Sequence, residues 1–190
     1  MGTIVVSDNI SLDGVIQDPA GDEGFARGGW VGAIRDRPEL AQLALDEALA
    51  ADAMLMGRRT YEWFAGRWPS RSGPLADRLN GMPKYIVSAT LEQPVWNNST
   101  VVRGDLLDEV SRLKADLDGT IVIPASARIV RALVEQDLVD AMWLKVFPVV
   151  LGGGERLFGD TTGTMPKRLV ETRTIDGTAT YLGYERVAGA

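Results

Sequence analysis

The sequence predicts an α/β protein of three layers, αβα, built on a mixed, mostly parallel central sheet of about eight strands. Short β-branched runs alternate with segments of helical period, and most connections between them are long enough for right-handed parallel crossovers. The chain then closes with two strand-like runs around Asp176-Gly177, a turn signal that predicts an antiparallel hairpin. With 190 residues, we expect residues 1–190 to form one domain.

The predicted strands are short, apolar and rich in β-branched residues. They cover residues 3–7, 53–56, 84–88, 101–102, 120–123, 141–150, 167–174 and 179–187. Pro148 interrupts the longest run, which indicates a bulge or an edge position there.

The predicted helices carry apolar residues at helical spacing and recognisable end signals. They cover residues 38–51, 59–65, 75–80, 106–117 and 127–136. Pro38 suits a first turn, Asp105 and Ser126 suit N-caps, and Gly119 suits a helix end. A helix between two buried strands, as at residues 38–56, predicts parallel pairing of those strands.

The segment from residue 15 to residue 32 is too irregular for a simple connection. Loops of this length in compact domains are usually lids or disordered segments. Phe25 and Trp30 favour a lid, because both aromatic rings would be exposed to water on a mobile surface loop, which is the alternative interpretation.

Composition excludes several classes of chemistry. The chain has no cysteine and no histidine, which excludes disulfides, thiol nucleophiles, histidine relays and zinc sites built from these residues. An oxygen-only Mg²⁺ or Ca²⁺ site stays open, but no DxDxDG-type loop supports one, and we predict no metal site. The net charge is −6 without a cluster of lysine and arginine, so nucleic acid is not expected as a partner. No apolar run predicts a membrane span and the N-terminus does not resemble a signal peptide, so we expect a cytoplasmic protein. Any enzymatic chemistry then belongs to a bound cofactor.

Chemically suggestive residues follow several predicted strands, at 11–14, 57–60, 88–90 and 124–126, and ligands of open α/β sheets bind at the carboxyl ends of strands. Gly57 allows close approach of a phosphate, the following helix N-terminus attracts it, and Arg58 or Arg59 adds charged hydrogen bonds. The alternative is that both arginines are solvated residues of a first helical turn.

Other candidates are less specific. The hydroxyls of Ser88, Thr90 and Ser126 suit a ligand, but hydroxyls at strand ends are also common caps. Gly152 to Gly154 resembles part of a glycine-rich phosphate loop, yet it fits neither established pattern and equally suits a tight turn.

Taken together, four segments resemble the dihydrofolate-reductase-like superfamily. These are SLDG, MGRRTYEWF, KYIVSATL and LVDAMWLKVFPVVLGGGERLF, in this order and spacing. Within the superfamily, the chain is similar to the C-terminal reductase domain of the bifunctional riboflavin-biosynthesis deaminase/reductase. The resemblance extends over residues 4–184, and MGRRT and PVVLGGGERLF are its most specific parts.

The resemblance implies an NADPH-dependent reductase that transfers a hydride to a C=N or C=O bond of a small substrate, as a homodimer. It places Asp13, with Gly14, beside the nicotinamide and substrate as the catalytic residue, and it places Trp30 in the lid that contacts the substrate. The cofactor-binding residues that it implies are Gly57, Arg58, Arg59, Thr60, Ser88, Thr90, Ser126, Gly152, Gly153 and Gly154.

The chain departs from the family pattern at two places. Pro124-Ala125 stands where the family usually has Gly-Gly or Gly-Ser, which removes one N–H donor beside the cofactor. Ala89 stands where an arginine is frequent, which removes one contact to the ribose 2′-phosphate and weakens the preference for NADPH over NADH. A second acid of the site is assigned only by position, to Glu39 or Asp46.

Two other functions remain open at this point. One is a non-catalytic ligand-binding or regulatory protein on the same fold, for which Pro124-Ala125 is the indication. The other is reduction of a ribosylaminopyrimidine phosphate in riboflavin synthesis, which is less favoured because the chain has no zinc-binding deaminase segment.

Overall fold

The computed structural model describes residues 1–33 and 37–187 of the chain. Its strands are β1 (Thr3–Ser11), β2 (Ala53–Gly57), β3 (Lys84–Val87), β4 (Ser99–Val102), β5 (Thr120–Pro124), β6 (Ala141–Phe147), β7 (Lys167–Ile175) and β8 (Ala179–Arg186). Its helices are α1 (Pro38–Ala50), α2 (Arg58–Ala65), α3 (Pro74–Gly81), α4 (Leu106–Asp116) and α5 (Ala127–Glu135), with a short 3₁₀ helix at Trp30–Ala33.

The strands form one mixed sheet in the order β4-β3-β2-β5-β1-β6-β8-β7. Strands β1 to β6 pair in parallel, whereas β8 pairs antiparallel with both β6 and β7. The predicted fold class and the closing hairpin are confirmed. Because β1 lies between β5 and β6 and is parallel to both, its carboxyl end lies inside the sheet and not at an edge.

Alternation along the strands separates two cores. Leu55 of β2 packs in the cluster that contains Val130 and Leu133 of α5, whereas Met54 and Met56 pack in the cluster that contains residues of α1, α2 and α3. Helices therefore cover both faces of the sheet. Full burial of each such aliphatic side chain contributes roughly 1.5–3 kcal/mol, and the two cores together hold the strand ends in a fixed arrangement.

The largest differences from the predicted boundaries are in β1 and β6; the others amount to one or two residues. Strand β1 continues to Ser11 rather than ending at Ser7. Ile10 is buried and extends the apolar face of the strand. The prediction ended too early because the polar residues Asp8 and Asn9 interrupt the apolar pattern. Pro148 lies just beyond the end of β6, and the irregularity of register is instead in β7, between Leu169 and Glu171.

The segment of residues 15–32 is organised by a buried carboxylate. Asp18 is 1% exposed, and its oxygens accept hydrogen bonds from the backbone N–H groups of Gly21, Asp22, Glu23 and Phe25. A β-carbon on Gly28 would lie 2.3 Å from Asp18 Oδ2, so the turn around this carboxylate requires glycine there. Internal hydrogen bonds therefore give this long loop a defined shape.

Candidate active site

A cavity of about 1230 Å³ lies at the carboxyl ends of the parallel strands. Residues 7–9 of β1, the β2–α2 junction, the β5–α5 junction, α1 and part of the loop of residues 15–32 all contribute to its lining. Pockets for one drug-sized molecule span roughly 300–1,000 Å³. This cavity therefore has room for a larger ligand, or for two ligands side by side.

The β2–α2 junction places a helix N-terminus in the cavity wall. Gly57 ends β2 and caps α2 with φ −78° and ψ 163°, which any residue can adopt. Its N–H donates to Ser126 Oγ (3.1 Å), so the first unoccupied donors are the N–H groups of the next residues, Arg58 to Thr60, which have no acceptor inside the helix. These groups and the positive end of the helix dipole favour an anion.

Both arginines of the junction line the cavity, and each has hydrogen-bond or ion-pair partners. Arg58 contacts Glu62 through Nε (2.7 Å) and donates from Nη1 to Thr90 Oγ1 (2.8 Å). Arg59 pairs with Glu23 Oε2 (2.9 Å) and lies 3.6 Å from Glu155 Oε2. Both guanidinium groups therefore lie at the cavity wall with hydrogen-bond or ion-pair partners, and Arg59 links α2 to two other parts of that wall.

The β5–α5 junction brings a second helix N-terminus to the same cavity. Residues 124–129 all line it, and Ala125 (φ 48°) and Ser126 (φ 60°) adopt left-handed conformations that normally favour glycine. Pro124 removes one donor, but the N–H groups of Ala127 and Arg128 in the first turn of α5 still have no acceptor inside the helix. The junction therefore opens toward the cavity despite the departure from the family pattern.

A single hydroxyl joins the two junctions. Ser126 Oγ accepts from the N–H of Gly57 and donates to Thr60 Oγ1 at 3.0 Å. Sequence reasoning placed Gly57, Thr60 and Ser126 in one binding site without this connection. The structure brings all three together.

The other predicted cofactor contacts lie at the edge of the cavity or behind it. Ser88 Oγ accepts from the N–H groups of Thr90 (3.2 Å) and Leu91 (3.0 Å), so it caps a turn, and Thr90 reaches the cavity only through Arg58. Gly152, Gly153 and Gly154 pack against the loop of residues 15–32 and do not line the cavity. Their predicted contacts with the cofactor stay predictions.

Asp13 also lies outside the cavity lining. Hydrogen bonds from the Leu151 N–H (3.0 Å), the Ser11 hydroxyl (2.8 Å) and the Gly152 N–H (2.7 Å) lower the pKa of Asp13 to about 2. The side chain is therefore an ionised anchor for the glycine turn at neutral pH. Its predicted catalytic role stays a prediction that these contacts do not favour.

Trp30, predicted to contact the substrate, is 6% exposed and packs edge-on against Phe147, with ring centroids 5.4 Å apart. Its Nε1–H donates to the carbonyl of Gln17 (3.0 Å). The ring is outside the cavity lining, whereas Gln17 and Glu23 of the same loop lie within it. The loop contributes polar side chains to the cavity, and Trp30 fixes the loop to the core.

A buried polar group in the cavity wall was missed by sequence reasoning. Lys145 Nζ contacts Ser7 Oγ (2.7 Å) and Glu47 Oε2 (2.9 Å), and Ser7 Oγ donates to the same Glu47 oxygen (2.7 Å). Glu39 and Asp46, the acids assigned by position, do not line the cavity; the acid of α1 that does is Glu47. The available signal was a lysine inside the apolar run AMWLKVF, since charged residues are rarely buried unless paired.

Asp8 was missed for a similar reason. It is 7% exposed and lines the cavity, and among the described residues its Oδ2 has no hydrogen-bond partner. Burial raises the pKa of Asp8 to about 7, against the attraction of Lys145 and a hydrogen bond from the Asn9 N–H, while Glu47 adds to the rise. Its signal in the sequence was an acid within the β-branched run TIVVSDNIS.

No helix among the described residues is both long enough and apolar enough to cross a membrane.

The fold and the comparisons with known proteins define a protein of the dihydrofolate-reductase-like fold class. More narrowly, the chain belongs to the family of the RibD C-terminal domain, whose model matches residues 3–181. This confirms the resemblance to the reductase domain of the riboflavin-biosynthesis protein.

Three known proteins illustrate the relationship. The uncharacterized protein YyaP of Bacillus subtilis (strain 168) is 26% identical over 138 residues, which cover 70% of this chain and 73% of YyaP. The structure of a candidate riboflavin biosynthesis protein from Shewanella sp. PV-4 has a TM-score of 0.77 and 23% identity, covering 97% of this chain and 99% of that one. Dihydrofolate reductase from Enterococcus faecalis, complexed with NADP(H) and RAB-propyl, has a TM-score of 0.63 and 12% identity, with coverages of 97% and 96%. At these identities the two structures establish the fold alone.

Proposed function

We propose that the protein is an NADPH-dependent reductase that transfers a hydride to a C=N or C=O bond of a small heterocyclic or carbonyl substrate. The observation that carries this proposal is that two helix N-termini, those of α2 and α5, face one cavity together with Arg58 and Arg59. Two such ends suit the phosphates of a dinucleotide. The volume of the cavity leaves room for a substrate beside it.

The chain's residues fit this cofactor at several points. The N–H groups and guanidinium groups of Arg58 and Arg59 would hold phosphates at α2, and the N–H groups at the start of α5 would hold a second anionic group. When bound, NADPH supplies the hydride. The apolar side chains of the cavity wall, among them Leu43 and Phe64, exclude water from the reacting atoms.

The preference for NADPH over NADH rests on Arg58. Its guanidinium lies beside Thr90, in the segment where Ala89 replaces the arginine that is frequent in the family. Arg103 also reaches this segment, donating to the carbonyl of Leu91 (2.7 Å). These two arginines supply positive charge near the position that a 2′-phosphate would take.

The Enterococcus faecalis enzyme, with NADP(H) bound on the same fold, supports the proposal. We infer from the family resemblance that residues 1–190 act as one domain, in a homodimer and in the cytoplasm. Light scattering of the purified protein would test the homodimer.

The direct test is titration with NADPH, followed by nicotinamide fluorescence. Wild type should show a saturable signal, and Arg58→Ala should weaken binding roughly ten- to hundredfold, since a hydrogen bond to a charged group contributes about 1.5–3 kcal/mol. Arg112→Ala is the matched control, because Arg112 pairs with Glu109 on α4 and does not line the cavity. A wild-type protein that gives no saturable signal at millimolar NADPH would exclude the proposal.

A non-catalytic ligand-binding protein is the second candidate, and the left-handed Ala125 after Pro124 is the observation that favours it. An altered junction in the cofactor site would preserve binding while losing turnover. This candidate predicts NADPH binding without oxidation by any aldehyde, diketone or dihydropterin. Oxidation that is present in wild type and lost in Arg58→Ala would remove it.

A further inference from the structure

We infer that Asp8 is the proton donor of the reaction, a catalytic residue that delivers a proton to the nitrogen or oxygen of the bond being reduced. This inference rests on the proposed function. It assigns to Asp8 the proton transfer that the family resemblance would assign to Asp13.

The position of Asp8 on its strand directs its carboxyl group into the cavity. Asp8 lies on the central strand β1, and its neighbour Ser7 is in register with Pro124 of the altered junction. Val6 and Ile10, which alternate with Asp8 on the same face of the strand, pack in the apolar core against α5. The carboxyl group therefore leaves an apolar surface and enters the cavity beside the α5 N-terminus.

An unpartnered oxygen in such a place indicates a ligand contact. Asp8 is more than nine-tenths buried, and Oδ2 has no hydrogen-bond partner among the described residues. Buried polar atoms are almost always paired, because an unpaired one costs about 1–3 kcal/mol. A substrate heteroatom in the cavity would complete the pairing.

The other carboxyl groups that line the described cavity are engaged with partners. Asp18 accepts four backbone N–H groups, and Glu47 is ion-paired with Lys145. Glu23 and Glu155 both face Arg59. Among the carboxyl groups that line the described cavity, Asp8 is therefore the one with an oxygen left free for a ligand.

The surroundings of Asp8 favour its neutral form. Burial raises the pKa of Asp8 to about 7. The charged groups that act on it are Lys145 on β6, which lowers the pKa, and Glu47 on α1, which raises it. An acid is most effective when its pKa is near the working pH, so Asp8 is suited to donate a proton near neutrality.

The step is balanced in atoms and charge. The carbon of the C=N or C=O bond accepts a hydride, with its electron pair, from a reduced nicotinamide dinucleotide, which is left oxidised. The π electrons move to the nitrogen or oxygen, which takes the proton from the Asp8 carboxyl group. The resulting Asp8 carboxylate regains a proton from water that enters the open cavity before the next turnover.

The first test needs no substrate. Protein labelled with ¹³C at the aspartate side-chain carboxyl carbon is titrated by NMR, with and without NADP⁺, and Asp8→Asn identifies the resonance of Asp8. We expect this carboxyl group to be protonated at and just below neutral pH and to titrate near neutrality. A resonance that is already that of a carboxylate at about pH 5 would overturn the inference, since such a group holds no proton in the working range.

The second test compares turnover with a panel of aldehydes, diketones and dihydropterins. For any compound that wild type reduces, Asp8→Asn should lower kcat by roughly 10²–10⁴-fold, the usual contribution of a general acid, while the dissociation constant for NADPH stays within a few-fold of wild type. Asp8→Glu should recover part of the loss. Asp46→Asn is the matched control, because Asp46 is an exposed acid of α1 outside the cavity.

The two proposals fail in different ways. If wild type does not bind NADPH, the proposed function is excluded whatever the NMR titration gives. If wild type binds and oxidises NADPH but Asp8→Asn keeps its kcat, the function stands and the role of Asp8 is overturned. Circular dichroism checks that Asp8→Asn is folded. If it is not, Asp8→Glu, which also lacks the aspartate resonance, identifies Asp8 in the wild-type titration.

Discussion

Asp8 should make the protein less stable as the pH rises, and Asp8→Asn should abolish that effect. The folded protein holds the proton of Asp8 up to about pH 7, whereas the unfolded chain releases it near 3.8. Between these values the folded state binds more protons than the unfolded state, so stability falls with rising pH. At about 1.4 kcal/mol per pH unit, a pKa of about 7 in place of 3.8 corresponds to roughly 4 kcal/mol lost by pH 8.

The assay is urea unfolding of wild type and Asp8→Asn at a series of pH values from about 5 to about 8. The amide has the size of the carboxyl group and does not titrate, so the stability advantage of the variant should be smallest near the acid end of the series. It should grow by roughly 3 kcal/mol between about pH 5 and about pH 7, at about 1.4 kcal/mol per pH unit. Near the alkaline end the variant should be more stable by a few kcal/mol. Taking the difference between the proteins cancels titrations that they share, such as that of Asp13.

The refuting result is a difference between the two proteins that does not change with pH. It would mean that Asp8 is ionised in the folded protein through the whole series. The reasoning from burial without a partner would then be wrong, whether or not the protein binds NADPH.

Three further predictions concern the cavity. Gly57→Ala should leave the free energy of unfolding within about 0.5 kcal/mol of wild type, because the nearest atom to an added β-carbon is 3.8 Å away. The variant should nevertheless bind NADPH more weakly in the fluorescence titration. A loss of stability would show that the protein itself requires the glycine. Glu23→Gln should lower the dissociation constant for NADPH by up to about fivefold, since it releases Arg59 from a surface ion pair worth at most about 1 kcal/mol. Weaker binding would contradict this prediction. Lys145→Met should lower the free energy of unfolding in urea by about 3–5 kcal/mol, because Glu47 is left as a buried charge without its partner; a change below about 1 kcal/mol would contradict the buried pair.

The fold was predictable because its signals are local and repeated. The βαβ pattern, the helix caps and the Asp176-Gly177 turn each specify a short element, and the rules of parallel crossover limit how such elements assemble. Even so, the sequence indicated a β1 that is too short. The polar residues Asp8 and Asn9 interrupt an apolar strand, and only the structure shows that they face a cavity.

The site was predictable only in part, for a related reason. Gly57 to Thr60 and Ser126 follow strands directly, so topology alone brings them together. Asp13 and Trp30 are equally prominent in the sequence, but their side chains turn to the glycine loop and to Phe147. The direction of a side chain in a loop depends on contacts distant in sequence, such as the 138 positions between Asp13 and Leu151. The pairing of Glu47 with Lys145, 98 positions apart, is equally invisible to local patterns.

The hydroxyl of Ser126 has a consequence for any ligand that spans the two junctions. Because it is bonded both to the backbone of Gly57 and to the side chain of Thr60, it sets the separation between the starts of α2 and α5. Two anionic groups on one ligand must match that separation, since the protein cannot widen it without losing both bonds. The cavity therefore selects ligands by the distance between their anionic groups. A molecule with a single phosphate can bind at only one of the two helix N-termini.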